Sequence, residues 1–106
     1  MAGFEDRLKQ FEAQYGRDQE LRFRVNVRRN RLLGQWAAEE MGLTGDAAAA
    51  YATSVVESDF DQPGDADVVQ KVLGDLVAKG IDIDERGLRR RMDELLETAK
   101  RQIMAE

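Results

Sequence analysis

The sequence contains no cysteine and no histidine among its 106 residues. The lack of cysteine excludes a disulfide framework, a thiolate zinc site, an iron–sulfur cluster and a cysteine nucleophile. The lack of histidine excludes a Ser-His-Asp triad, a histidine-ligated zinc site and an imidazole pH switch. Because the remaining titratable groups are carboxylates and bases of high pKa, the composition favours a binding or regulatory protein over an enzyme.

Long apolar runs and phosphate-binding loops are also lacking. No stretch approaches the roughly 18 consecutive apolar residues of a membrane span. The first 12 residues carry three acidic side chains, which argues against a secretory or transit peptide. No GxxxxGK[ST] segment occurs, so a P-loop is excluded. We therefore expect a cytoplasmic protein that has no cofactor and does not insert directly into a membrane.

What is present favours helices, because one proline accompanies thirteen alanines and ten leucines. Four segments carry apolar residues at helical spacing, between residues that commonly start or end helices. These segments are Asp18 to Met41 before Gly42, Thr44 to the turn at Asp61-Gln62-Pro63-Gly64, Asp65 to Gly80, and Asp84 onwards. Their apolar positions are Leu21, Val25, Leu32, Leu33, Trp36, Ala37, Tyr51, Ala52, Val55, Val56, Val68, Val69, Val72, Leu73, Leu76, Val77, Leu88, Met92, Leu95, Leu96, Ala99 and Ile103. The pattern predicts an all-α fold with a small antiparallel four-helix bundle, in which Ile81 to Asp84 is a connector.

The first 17 residues form a separate pattern. Phe4, Leu8, Phe11 and Tyr15 are spaced as one narrow apolar stripe on an otherwise polar helix, which we expect Gly16 to interrupt. Such a short helix is marginal by itself and would order best in the groove of a partner, where three aromatic side chains would be good anchors. We therefore predict a flexible amphipathic arm at residues 1–17 and a four-helix domain at residues 18–106. The alternative is a fifth core segment.

Charge is segregated along the chain. Residues 1–31 hold eight basic and five acidic side chains, whereas residues 32–70 hold eight acidic and no basic ones. Arg24, Arg28 and Arg31 share one helix face, which could contact an acidic partner, a phosphate or nucleic acid. The alternatives are internal ion pairs or a solvated face. Nucleic acid is disfavoured, because the net charge is −5 and no aromatic residue lies among residues 28–31.

A cluster of acids invites comparison with a calcium-binding loop. The matching positions are Asp59, Asp61, Gly64, Asp65 and Asp67. However, Pro63 stands at the fifth position and Gln70 at the twelfth, so the bidentate glutamate of such a loop is absent. An enzyme built on the carboxylates of Asp59 and Asp61 is a remote alternative. We predict neither a metal site nor catalysis here.

Six blocks of the sequence form a recognisable pattern. They are Phe4 to Arg7, Phe11-Glu12, Asp18 to Phe23, Arg29 to Glu39, Asp59 to Asp65 and Leu88 to Leu96. The most specific block has the pattern RN-x-LLG-x-WAAE around the single tryptophan. Over nearly the whole chain, in order and in spacing, these blocks resemble the zeta-subunit family of alphaproteobacterial ATP synthase inhibitors.

The resemblance implies a small four-helix protein that binds the catalytic head of the rotary ATP synthase and blocks ATP hydrolysis. In that family the inhibitory element is the N-terminal segment, which becomes helical as it wedges between catalytic subunits beside the central stalk. The family's motif falls on Phe4, Glu5, Asp6 and Arg7 and on Phe11 and Glu12; with Leu8 and Tyr15 these are the expected partner-binding residues. The expected location is peripheral to the inner membrane, through the ATP synthase.

A second function stays open at this point. The helical domain could be a stand-alone regulatory or scaffold protein with an unrelated partner. In that case Arg24, Arg28 and Arg31 could sense a nucleotide through its phosphates.

Overall fold

The computed structural model describes residues 3–59 and 64–106. Within this part of the chain the regular structure consists of five helices and no strand, so the predicted all-α class is confirmed. Residues 81–84 are a connector without regular structure, as predicted. The helices are α1 (Phe4–Arg17), α2 (Gln19–Glu40), α3 (Gly45–Ser58), α4 (Ala66–Ala78) and α5 (Glu85–Ala105).

Two of the four residues predicted to start helices form an N-cap side-chain hydrogen bond. The Asp18 carboxylate accepts from the Leu21 amide at 3.2 Å, and the Asp84 carboxylate accepts from the Gly87 amide at 2.8 Å. Thr44 and Asp65 stand at the N-cap positions of α3 and α4, but neither side chain caps its helix. The Asp65 carboxylate accepts hydrogen bonds from an arginine of α2 instead, so tertiary contact overrides local capping there.

Gly42 and Gly80 end α2 and α4, as predicted. Both have a positive φ, of 78° and 81°, which glycine adopts without strain. The Gly42 amide donates to the Glu39 carbonyl and the next amide donates to the Ala38 carbonyl, and the turn at Gly80 repeats this pattern. This pair of hydrogen bonds is the Schellman motif, in which carbonyl groups at the end of a helix receive the hydrogen bonds that the helix itself does not supply.

The helix α2 is the centre of the fold, because it packs against all four other helices. The larger core cluster joins α2 to α3, α4 and α5 and consists of Leu33, Ala37, Val55, Val68, Val69, Val72, Leu76, Leu88 and Met92. The smaller cluster joins α1, α2 and α5 and consists of Phe11, Leu21, Val25, Ala99 and Ile103. Most predicted apolar positions are therefore buried. Val77 is wrong as a core position, since it is 56% exposed on the outer side of α4.

Close approach of α2 and α3 depends on Gly34. A Cβ atom at this position would lie 2.6 Å from the Cα of Ala52 and 3.3 Å from its carbonyl oxygen. Both are backbone atoms, so no side-chain rotation could relieve the contact. The glycine of the LLG block is therefore required by helix packing.

The expected break at Gly16 is wrong. The helix α1 continues through Gly16 to Arg17, because a glycine weakens a helix interior without ending it. The break falls at Asp18, whose backbone is extended with φ −109° and ψ 106°. This residue ends α1 and caps α2 in the same position.

Candidate partner-binding surface

The apolar stripe of α1 changes from exposed to buried along the helix. Phe4 is 52% exposed, Leu8 and Tyr15 are half-buried, and Phe11 is only 9% exposed. The predicted stripe therefore lies on one helix, but its residues differ in exposure. The N-terminal end of α1 faces solvent and the C-terminal half packs against the other helices.

Phe11 attaches α1 to the rest of the molecule. Its ring lies in the smaller core cluster, where Leu21 and Val25 come from α2 and Ala99 and Ile103 from α5. Tyr15 packs against the same cluster from its edge. In this state α1 takes the position of the fifth core segment that the sequence left as an alternative.

Lys100 forms a second link to α1. This lysine is only 8% exposed, its Nζ lies 3.2 Å from a carboxylate oxygen of Glu12, and it stands 4.4 Å from the ring centre of Tyr15. A buried ammonium is tolerated only with such partners. Sequence analysis missed this residue, although its spacing from Leu96 and Ile103 places it on the apolar face of α5.

The junction between α1 and α2 is held by polar contacts. Nη1 of Arg22 donates to the carbonyls of Tyr15 and Gly16 at 3.1 and 3.0 Å, which satisfies the end of α1. The Leu21 amide, as the strongest influence, lowers the pKa of the Asp18 carboxyl, and Gln14 adds a hydrogen bond at 3.3 Å. A single extended residue, Asp18, thus links the two helices.

The exposed end of α1 carries the residues of the predicted recognition motif. Phe4, Glu5, Asp6 and Arg7 are all exposed. Glu5 and Asp6 lie in the first helical turn, where negative charge is favourable next to the positive end of the helix dipole. The structure therefore exposes one aromatic and three charged side chains in the first turn of α1.

The three predicted arginines of α2 also come together. Arg24, Arg28 and Arg31 line one open groove of about 310 Å³ between α2 and the end of α5. Arg24 and Arg28 both pair with Glu106. Internal pairing, one of the alternatives left open by the sequence, therefore applies to two of the three.

A buried polar network was missed by sequence analysis. Arg29 is 4% exposed, and its Nη2 donates to the Asp65 carboxylate at 2.7 Å while its Nε donates to Asn30 at 2.8 Å. Asn30 in turn donates to Asp59 at 3.1 Å. Burial raises the pKa of the Asp59 carboxyl, against the opposing effects of Asn30 and Arg29. The network joins α2 to both ends of the connection between α3 and α4.

Asp61 and Pro63 lie outside the described residues. The calcium-loop comparison involves both of them, and the paired-carboxylate alternative involves Asp61. Within residues 3–59 and 64–106, no group of three or more acidic side chains is placed to hold a metal ion. In the same part of the chain, no helix is long and apolar enough to cross a membrane.

Comparisons with known proteins complete the description. The family model for "ATPase inhibitor subunit zeta" matches residues 1–102. Curated proteins give no significant match. A structure solved by solution NMR is 44% identical to this chain, with a TM-score of 0.71. The match covers 80% of this chain and 96% of that one, so the two are similar in sequence and fold over most of their lengths.

Proposed function

Because the chain belongs to the ATPase inhibitor subunit zeta family, we propose that it inhibits ATP hydrolysis by the rotary ATP synthase and that α1 is the inhibitory element. The partner surface is the catalytic head, where α1 inserts between catalytic subunits beside the central stalk and blocks rotation. The observation that carries this proposal is the tip of α1, where Phe4 and three charged side chains are exposed on an amphipathic helix. The contacting residues are Phe4, Glu5, Asp6, Arg7, Leu8, Phe11, Glu12 and Tyr15.

Full insertion requires α1 to leave the other helices, since Phe11 is buried among them. Burial of a phenylalanine side chain stabilises by about 1.5–3 kcal/mol, and the partly exposed Glu12–Lys100 pair adds less than about 1 kcal/mol. Together these contacts stabilise the docked form by about 1.5–4 kcal/mol, so the released form is roughly 0.1–10 per cent of the molecules. The partner stabilises that minor form by binding it.

In this release α1 turns about Asp18, while the four helices α2 to α5 stay packed together. We propose that residues 1–17 move as an arm and that residues 18–106 stay folded as an antiparallel four-helix bundle, held by the larger core cluster that contains no α1 residue. The assembly with the ATP synthase would place the protein at the cytoplasmic side of the inner membrane. Its role there is regulatory.

The direct test is the ATP hydrolysis rate of a purified alphaproteobacterial ATP synthase head, titrated with the full chain and with a chain that starts at Asp18. We expect inhibition by the full chain alone, while circular dichroism shows the shortened chain still helical. Full inhibition by the shortened chain would contradict the assignment of α1. Because the shortened chain exposes Leu21 and Val25, a point variant is needed in addition.

The point variant is Phe4→Ala, with Val77→Ala as its control. Both residues are exposed apolar side chains, at 52% and 56%, but only Phe4 lies on α1. Loss of an aromatic anchor costs about 2 kcal/mol or more in an interface, so Phe4→Ala should weaken inhibition at least roughly thirtyfold. Neither change should lower the melting temperature. Equal potency of the two variants would overturn the proposal.

Release of α1 is tested separately with Lys100→Met. Loss of the charge removes the links to Glu12 and Tyr15, so more molecules have α1 released and inhibition should strengthen about threefold. The control is Lys71→Met, because Lys71 has the same kinds of partner away from α1. Its Nζ lies 3.2 Å from an aspartate oxygen and 5.2 Å from the centre of a tyrosine ring. If both variants inhibit like the parent chain, release of α1 does not limit binding.

A further inference from the structure

The groove beside the arginines of α2 is distinct from the tip of α1. We call it the basic groove, and its lining comprises Arg24, Arg28 and Arg31 together with Phe23, Val27, Ile103 and Glu106. The lining combines guanidinium groups with apolar side chains, of which Phe23 is 55% exposed and Ile103 is buried. Because the chain has a net charge of −5, this local concentration of three cations departs from the charge of the whole protein.

A side chain of the protein itself already binds there. The two carboxylate oxygens of Glu106 accept from different arginines, one from Nη2 of Arg28 and the other from Nη2 of Arg24 at 3.4 Å. Arg28 also donates to the Gln102 side chain at 2.9 Å. These contacts lower the pKa of the Glu106 carboxyl, with the hydrogen bond from Arg28 as the main cause. The groove therefore accepts a carboxylate in a bridging position.

The internal ligand does not fill the groove. Glu106 is a single carboxylate and its side chain is 47% exposed, whereas the space measures about 310 Å³. Arg31 lines the same space and is exposed. Exposed ion pairs are weak and exchange readily with other charges. An external anion could therefore displace Glu106 at small cost.

The groove also adjoins the docking site of α1. Ile103 lines the groove and belongs to the smaller core cluster that holds Phe11. When α1 leaves, the apolar site vacated by Phe11 and the basic groove become neighbouring parts of one surface on α2 and α5. A partner that takes up α1 meets this surface next.

We propose that the basic groove binds an acidic segment of a partner protein, whose carboxylates replace Glu106 on Arg24 and Arg28 and whose apolar side chains pack on Phe23 and Val27. The planar guanidinium groups match carboxylates in geometry. The apolar part of the lining favours a peptide over an inorganic anion, because a peptide can bury apolar side chains there in addition to pairing its carboxylates. Only the identity of the partner, the ATP synthase head, rests on the proposed function.

The test is a titration of the ¹⁵N-labelled full chain with a synthetic helical peptide of glutamate and leucine, end-capped to remove terminal charges. The control peptide has glutamine in place of glutamate. We expect saturable shifts of the side-chain Nε–Hε signals of Arg24, Arg28 and Arg31 with the acidic peptide alone. Inorganic phosphate, titrated in parallel, should shift these signals only at much higher concentration.

Three variants make the test specific. Glu106→Gln removes the internal competitor and should tighten peptide binding about threefold, whereas Arg28→Gln should weaken it about tenfold. Arg89→Gln is the matched control, because Arg89 is an exposed arginine of α5 paired with Glu85 at 3.0 Å and remote from the groove. It removes the same charge and should leave the affinity unchanged.

Several results would overturn the proposal. These are equal binding of the glutamine peptide, unchanged affinity in Glu106→Gln, equal weakening by Arg89→Gln and Arg28→Gln, or phosphate acting at lower concentration than the peptide. The outcome is independent of the inhibition assay. A chain that binds the acidic peptide as expected but does not inhibit ATP hydrolysis would refute the proposed function and leave the groove assignment standing.

Discussion

Replacement of Gly34 by alanine should destabilise the protein, although alanine is the better helix former. The added Cβ would lie 2.6 Å from the Cα of Ala52, where ordinary contact begins near 3.4 Å. The helices α2 and α3 must then move apart by several tenths of an ångström to about 1 Å. Because α2 makes its most extensive contacts with α3, the displacement disturbs a large part of the core.

The expected magnitude follows from two opposing effects. Overpacking of a core costs about 1–3 kcal/mol, and the upper end applies because backbone atoms are involved. Helix propensity returns about 1 kcal/mol when alanine replaces glycine. The net loss in the free energy of unfolding is about 2 kcal/mol, which lowers the melting temperature by about 10 °C for a domain of this size.

The control is Gly74→Ala, at an exposed glycine inside α4. A Cβ there would meet nothing within 4 Å, so only the gain in helix propensity remains and the melting temperature should rise by several degrees. Thermal unfolding followed by circular dichroism measures both variants. A Gly34→Ala variant as stable as the parent would refute the close packing of α2 on α3, and a destabilised Gly74→Ala would refute the assumed propensity gain.

Two further predictions concern the buried network on α2. Arg29→Met keeps the bulk of the side chain but leaves the Asp65 carboxylate without its partner at 2.7 Å. Urea unfolding should therefore show a loss of about 2–3 kcal/mol in the free energy of unfolding. For the control Arg89→Met, at an exposed ion pair, the loss should be less than about 1 kcal/mol. Burial raises the pKa of the Asp59 carboxyl above 3.8, so the folded state binds the carboxyl proton more tightly than the unfolded chain does. The stability that this tighter proton binding contributes is lost as the pH rises through the raised pKa. Asp59→Asn can still accept from Asn30 and does not ionise, so its stability relative to the parent chain should improve from pH 3 to pH 7, and a change in the opposite direction would contradict the assignment.

Element boundaries could be predicted from the sequence because they depend on neighbouring residues. Asp18 and Asp84 cap their helices with side-chain bonds that span three residues. Gly42 and Gly80 end theirs through a local backbone conformation. The local signal failed at Asp65, where the carboxylate binds an arginine 36 positions earlier in the chain. It also failed at Gly16, where the capping residue two positions later decides the break.

The candidate site was predictable in part for the same reason. The spacing of Phe4, Leu8, Phe11 and Tyr15 places them on one face of α1, and the spacing of three arginines places them on one face of α2. The helical spacing of these residues does not show what either face contacts in the folded protein. That Phe11 is buried while Phe4 is exposed depends on how α1 meets α2 and α5.

The sequence by itself determined the all-α class, the ends of most helices and the faces that carry apolar or basic residues, because these follow from local conformational preference and helical periodicity. Only the tertiary structure decided that Lys100 is buried against α1, that Glu106 pairs with arginines of the basic groove, and that Gly34 must lack a side chain. Each of these depends on residues far apart in the chain. Their energies come from burial and close contact, which exist only once the helices are packed together.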